Sequence, residues 1–230
     1  MLVFLFLITF LIIILYSIEK IKFPESFTIN SYIDKFDINK VYEFDNFLSN
    51  DECNRIILLA EGRLSYSKVI CPTGLCKDIN HRTSSNAFVK DTADPVCTKI
   101  TNSVEKILGI PKNHFEDLQI VKYNAGELYK PHWDACVGSK GTCDEFIKSA
   151  GQRVATFIIY LNDNFEKGET YFPKRDISFK PVRGKAILFF NLERDNETIL
   201  DNSLHAGLPP SHGTKWMCNK WIRVKQLTKN

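Results

Sequence analysis

The 230-residue sequence predicts an α+β fold, in which helices cover one face of an antiparallel double-sheet barrel of the jelly-roll kind. Three observations predict it. Two amphipathic helical patterns lie before residue 110. Beyond Leu118 the runs LQIVKY (118–123), RVATFIIYL (153–161), KAILFF (185–190) and KWIRVKQ (220–226) are rich in β-branched and aromatic residues. Gly, Pro, Asn and Asp punctuate these runs, so the strands are short and many.

The elements follow in order. Residues 1–18, MLVFLFLITFLIIILYSI, carry no charged side chain. As a helix they reach ~27 Å, close to the hydrocarbon core of a bilayer. No Lys or Arg precedes the apolar run and no A-x-A pattern follows it, which favours an uncleaved transmembrane signal-anchor over a cleaved signal peptide. Lys20 and Lys22 follow the span and weigh toward a cytosolic domain. Residues 19–40 read as a polar stem, and the folded domain as residues 41–230.

Within that domain, Ser49 and Glu52 form a capping-box pattern that opens a helix with Cys53, Ile56, Ile57 and Ala60 on one face. Pro95 suits the first position of a second helix, whose stripe is Val96, Ile100, Val104, Ile107 and Leu108; Gly109 and Pro111 end it. The composition, 44% hydrophobic and 25% charged, excludes a wholly disordered chain. The net charge of +3 comes with no basic run interleaved with aromatics, so nucleic acid is not an expected partner. The seven cysteines contain no C-x-x-C, which argues against a zinc knuckle. Cys71 and Cys76, and Cys136 and Cys143, are close enough in sequence to form disulfides in an oxidising compartment; reduced, buried thiols are the other reading.

YNAGELYKPHWDAC (123–136) carries the first chemical signal. On an extended segment, His132 and Asp134 face the same side. H-x-D alone is more often a polar pair on a strand than a metal site. His205, in NSLHAGLPP, supplies a third donor. Two histidines and a carboxylate occupy one face of an octahedron and suit non-haem Fe(II), whereas structural zinc closes its coordination, mostly with cysteine. Ten residues on, Lys215 projects from a strand-like run; inside a barrel it needs an anionic partner. His81 and His114 sit in polar loops and are expected to be exposed, and His212 lies in a turn.

Several blocks in order, RTSSNAF (82–88), LQIVKYNAGELYKPHWD (118–134), GQRVATFIIYLND (151–163), KGETYFP (167–173), RGKAILFFNL (183–192), SLHAG (203–207) and GTKWMCNKWIRV (213–224), resemble the prolyl 4-hydroxylases of the 2-oxoglutarate/Fe(II) dioxygenase superfamily. The resemblance covers residues 41 to 225 and implies a double-stranded β-helix. It implies that His132, Asp134 and His205 hold Fe(II), and that Lys215 pairs with the distal carboxylate of 2-oxoglutarate. It sets Tyr123 near that carboxylate and Thr170 in the same pocket. It gives Arg82, Ser84, Tyr129, Arg153 and Trp221 to the peptide groove, with core packing as the other reading of Tyr129 and Trp221. Loop 67–88 and the loop holding Cys136 and Cys143 become candidate lids. Asn86, where a glycine is frequent, and Lys122, where an arginine is frequent, put peptide preference in doubt.

The implied reaction is C4 hydroxylation of peptidyl proline, on proline-rich or collagen-like chains, with L-ascorbate as the rescuing reductant. The same resemblance places a membrane-anchored catalytic domain in the endoplasmic reticulum lumen. The alternatives are hydroxylation of another side chain such as lysine, an inactive membrane-tethered peptide-binding module, and a zinc hydrolase using Glu127 or Glu169, for which no H-E-x-x-H frame exists.

Overall fold

The computed structural model describes residues 29–71, 74–138 and 143–227. Its helices are α1 (Ile29–Ile33), α2 (Asn50–Ala60), α3 (Pro95–Leu108) and α4 (Asp144–Lys148). Its strands are β1 (Tyr42–Phe44), β2 (Ser65–Tyr66), β3 (Val69–Cys71), β4 (Gly74–Cys76), β5 (Ser85–Val89), β6 (Leu118–Asn124), β7 (Tyr129–His132), β8 (Arg153–Tyr160), β9 (Glu166–Lys167), β10 (Thr170–Phe172), β11 (Ile177–Phe179), β12 (Ala186–Phe190), β13 (His205–Gly207), β14 (Pro210–His212) and β15 (Thr214–Arg223).

The α2 helix begins as its sequence predicts. Ser49 Oγ accepts from the Glu52 amide and the Ser49 amide donates to the Glu52 carboxylate. Asp94 caps α3 by accepting from the Val96 amide, and Gly109 ends that helix in the left-handed region at φ 77°. Both helices lay their apolar faces on a seven-stranded sheet of order β1-β12-β8-β15-β6-β5-β2. A four-stranded sheet, β11-β10-β13-β7, packs on the opposite face. Val121, Tyr123, Ile158, Tyr160, Phe172, Ile187, Phe189 and Met217 fill the space between them.

The two-residue period of β15 divides its side chains between the two environments. Trp216, Cys218 and Ile222 join the core beneath the helices. Lys215, Met217, Asn219, Trp221 and Arg223 turn the other way and line a groove of about 870 Å³. One strand thus seals the hydrophobic core and furnishes the site.

Three expectations change. No helix among the described residues is long and apolar enough to cross a membrane, which overturns the expected placement as a single-pass membrane protein with a lumenal domain. The apolar stretch 1–18 that prompted it lies outside the described residues. His81 and His114 are half-buried rather than exposed: His81 meets the Tyr129 ring edge-on, and His114 Nδ1 lies 3.0 Å from the Arg223 carbonyl. Residues 29–40, read as stem, send Ile29, Ile33 and Ile38 into the core. Cys136 and Cys143 form a disulfide, and Cys76 is disulfide-bonded.

Candidate active site

His132 ends β7 and His205 opens β13, and the register of that antiparallel pair sets the two directly opposite. Asp134 follows in the bend after β7. A donor atom from each of the three lies within 4.8 Å of the others. His132 Nε2 is 3.7 Å from Asp134 Oδ1, and His205 Nε2 is 3.7 Å from Asp134 Oδ2. The side chains of His132, Asp134 and His205 are 10%, 8% and 5% exposed.

Both imidazoles are oriented from behind. His132 Nδ1 is 2.8 Å from the Lys130 carbonyl and His205 Nδ1 is 2.9 Å from the Ser203 carbonyl. A carbonyl only accepts, so each Nδ1 carries the proton and each Nε2 offers its lone pair inward. Burial and the neighbouring His205 hold His132 well below its ordinary pKa. Burial alone would raise Asp134, but the His205 and His132 imidazoles and Arg153 bring it down to about 2. At neutral pH His132 is therefore neutral and Asp134 ionised, the forms in which they bind a metal.

Asp134 Oδ2 accepts from Thr156 Oγ1 at 2.7 Å and from Trp221 Nε1 at 3.0 Å. The Arg153 guanidinium lies 3.4 Å over the Trp221 ring and grips Glu116 with Nε and Nη2, at 2.7 and 2.8 Å. Arg223 shares Glu116 Oε1. Tyr129 stacks on His132 and carries the Arg82 guanidinium 4.5 Å above its own ring. Arg82 Nε donates to Ser84 Oγ, which donates to the buried Ser67 hydroxyl.

Lys215 enters the same groove. It is fully buried, and its Nζ has no hydrogen-bond partner. Burial pushes its pKa down to about 7, with the Glu169 charge opposing. Tyr123 and Tyr160 flank the ammonium, 5.3 and 5.8 Å from ring centroid to Nζ. Thr170 lines the pocket and accepts from the Tyr160 hydroxyl at 2.8 Å. A side chain on Gly207 would come within 3.3 Å of the Tyr123 hydroxyl, so glycine keeps this end of the groove open.

Comparison with known proteins agrees with this geometry. The family model of the 2OG-Fe(II) oxygenase superfamily matches residues 118–223. A protein of Acanthamoeba polyphaga mimivirus, assigned as a prolyl 4-hydroxylase, is 35% identical over 190 residues, covering 83% of this chain and 76% of its own. Prolyl 4-hydroxylase 5 of Arabidopsis thaliana is 34% identical over 205 residues, covering 80% and 68%. The chain belongs to the prolyl 4-hydroxylases of the 2-oxoglutarate/Fe(II) oxygenase superfamily. The viral collagen prolyl hydroxylase of Paramecium Bursaria Chlorella virus-1, solved with 2-oxoglutarate, superposes with a TM-score of 0.63 at 28% identity, covering 80% of this chain and 95% of that one.

A prolyl 4-hydroxylase of this superfamily works with Fe(II) and 2-oxoglutarate, and the residues present fit both. The donor set is nitrogen and oxygen with no cysteine, as a ferrous site prefers. The unpartnered Lys215 ammonium needs an anion, and a dicarboxylic acid brings one. Of the eleven side chains to which the resemblance gives a role, ten line this groove, and the buried Ser84 supports it from behind through Arg82. Sequence reading missed Thr156, Asn191, Glu116 and Arg223. Each is an ordinary polar residue in a strand or loop, and only strand register brings it to the site. Glu127, a candidate base for a hydrolase, is spent on the Asn124 turn, where it accepts from the backbone amide at 2.8 Å.

Proposed function

We propose that the chain hydroxylates C4 of a proline in an extended peptide. In the balanced reaction, peptidyl proline, 2-oxoglutarate and dioxygen give 4-hydroxyproline, succinate and CO2. The observation that carries this reading is the buried, unpartnered Lys215 ammonium opening into the same groove as His132, Asp134 and His205.

In this reading His132, Asp134 and His205 hold Fe(II), which supplies activation of dioxygen. Lys215 binds the distal carboxylate of 2-oxoglutarate through a charge-assisted hydrogen bond, with Tyr123 beside it and Thr170 lining the pocket. The buried walls exclude water from that pair, which strengthens it. Arg82, Ser84, Tyr129, Arg153 and Trp221 serve the peptide. Trp221 gives the groove an aromatic wall for an apolar pyrrolidine, Tyr129 stiffens the wall between His132 and Arg82, and the cations can donate to peptide carbonyls. Proline-rich and collagen-like chains suit the groove because the polyproline II backbone leaves its carbonyls free. L-ascorbate is assigned as the reductant that restores enzyme after uncoupled turnover. The catalytic unit is assigned to residues 41–230, with α1 packed onto it.

The same charges disfavour a lysine side chain as substrate. Arg82, Arg153 and Arg223 line the groove, and the nearby carboxylates of Glu116 and Asp134 are already engaged. The test is incubation of the protein with Fe(II), 2-oxoglutarate, ascorbate and proline-rich peptides, followed by mass spectrometry. A one-oxygen gain on proline, with matching succinate release, is the expected result. Succinate without peptide oxidation on any proline peptide, or oxidation on lysine, rejects the substrate assignment.

A further inference from the structure

Behind Asp134 lies a second hydrogen bond that the reaction described above does not use. Asn191 Nδ2 donates to Thr156 Oγ1 at 2.9 Å, and Thr156 Oγ1 donates to Asp134 Oδ2 at 2.7 Å. Asn191 and Thr156 are both fully buried. The direction of this chain follows from chemistry. A carboxylate only accepts, so the Thr156 proton points at Asp134. The threonine oxygen then turns a lone pair to Asn191, which must answer with its NH2 group. Asn191 Oδ1 is left buried with no partner. Native folds hold few such atoms, and an apolar residue here would avoid the cost. The asparagine therefore costs stability, and what it gains is a fixed hydroxyl.

We propose that Asn191 is a positioning residue for the metal, acting through Thr156. By occupying the threonine oxygen it removes the other rotamers of that hydroxyl and commits the proton to Asp134 Oδ2. Trp221 Nε1 saturates the same oxygen. Asp134 Oδ1 has no hydrogen-bond donor among the described residues, so it is the oxygen left free to face the metal. This inference rests on Asp134 being a ligand.

The test is binding of Fe(II) alone, titrated anaerobically into metal-free protein by calorimetry, with metal-free thermal melting as the control for folding. Removing an orienting partner typically weakens a metal site by about 10–100-fold, and Thr156→Val is expected in that range, while Thr156→Ser, which keeps the hydroxyl, stays near wild type. Asn191→Leu is expected to weaken binding by several-fold while leaving the metal-free melting temperature unchanged or higher, since the orphaned oxygen is gone. The deciding measurement is the double variant. If Asn191 acts only through Thr156, adding Asn191→Leu to Thr156→Val changes nothing further. Additive losses, or an Asn191→Leu protein that binds Fe(II) as wild type does, overturn the proposal. Should the leucine variants fail to fold, Asn191→Ala takes their place in the same cycle. Asp134→Ala separates this from the underlying reading. If it binds Fe(II) normally, the ligand assignment itself fails; if it loses binding while the Asn191 variant does not, only the positioning role fails.

Discussion

The Tyr129 ring lies parallel to the His132 imidazole, with centroids 3.4 Å apart and planes 14° from coincidence. His132 is thus held at its rim by the Lys130 carbonyl and on its face by an aromatic ring. Loss of such outer contacts typically lowers metal affinity about 10–100-fold, so Tyr129→Ala is expected to weaken Fe(II) binding within that range. Tyr129→Phe keeps the ring and should bind as wild type. Fe(II) titration of the two variants decides it; equal losses would assign the effect to the hydroxyl instead.

The proposed role of Lys215 makes 2-oxoglutarate binding pH-dependent. In the unliganded protein burial holds its pKa at about 7, so below that pH it is already charged and above it is increasingly neutral. The bound dicarboxylate requires the charged form and raises the pKa. Binding above pH 7 therefore takes up a proton, and affinity should fall toward about tenfold per pH unit. Calorimetry in buffers of different ionisation enthalpy reads that uptake directly. Truncating one partner of a buried charge pair costs about 2–5 kcal/mol, and Lys215→Met should lose that much 2-oxoglutarate affinity together with the pH dependence. Its metal-free stability should not drop, because an unpartnered buried amine is removed.

The metal set should also report on stability. A ligand that binds only the folded state adds about 2.7 kcal/mol at a concentration 100 times its Kd. Thermal melts should show Fe(II) raising the melting temperature of wild type and a chelator reversing it. His205→Ala should abolish both the shift and 2-oxoglutarate decarboxylation. A full shift in that variant would remove His205 from the ligand set.

The legible parts of this protein are those that depend on local pattern. The capping box of Ser49 and Glu52 and the αL stop at Gly109 are short-range, and each forms where the sequence puts it. His132 and Asp134 are two residues apart, so a single segment reveals them. His205 stands out as a third donor on its own segment, but only the family resemblance joins it to the other two, since nothing local says which strand β13 will join. Thr156 and Asn191 were illegible because they sit inside the apolar runs RVATFIIYL and ILFFNL, where a lone polar residue has no periodic meaning. The antiparallel register sets Thr156 opposite Trp221, and that register is a property of the whole sheet. The α1 helix was missed because five residues are too few to show a helical period. Read as stem, Ile29 and Ile33 gain meaning only from the core they enter.

Glu116 gives the last prediction. Its side chain, 15% exposed, bridges Arg153 and Arg223, which are 14% and 7% exposed. Burial alone would raise its pKa, but the Arg153 and Arg223 guanidiniums outweigh it and hold the carboxyl below its ordinary value of 4.5. A depressed folded-state pKa means the stabilisation is present above about 4.5 and is lost as pH falls through the lower value. Glu116→Gln keeps the shape but removes the charge, leaving two poorly hydrated guanidiniums without a counter-ion. Breaking a buried pair from one side typically costs about 3–5 kcal/mol. Urea unfolding at pH 7 should show that loss, and the gap between variant and wild type should narrow as pH falls below 4.5. The site should respond as well, because the Arg153 that Glu116 anchors lies 3.4 Å over Trp221, whose indole N–H holds Asp134. A freed Arg153 should raise the KM for peptide more than that for 2-oxoglutarate, whose proposed partner Lys215 is elsewhere in the groove. Unfolding curves that diverge with acid, or a selective change in the 2-oxoglutarate KM, would show that Glu116 serves some other part of the molecule.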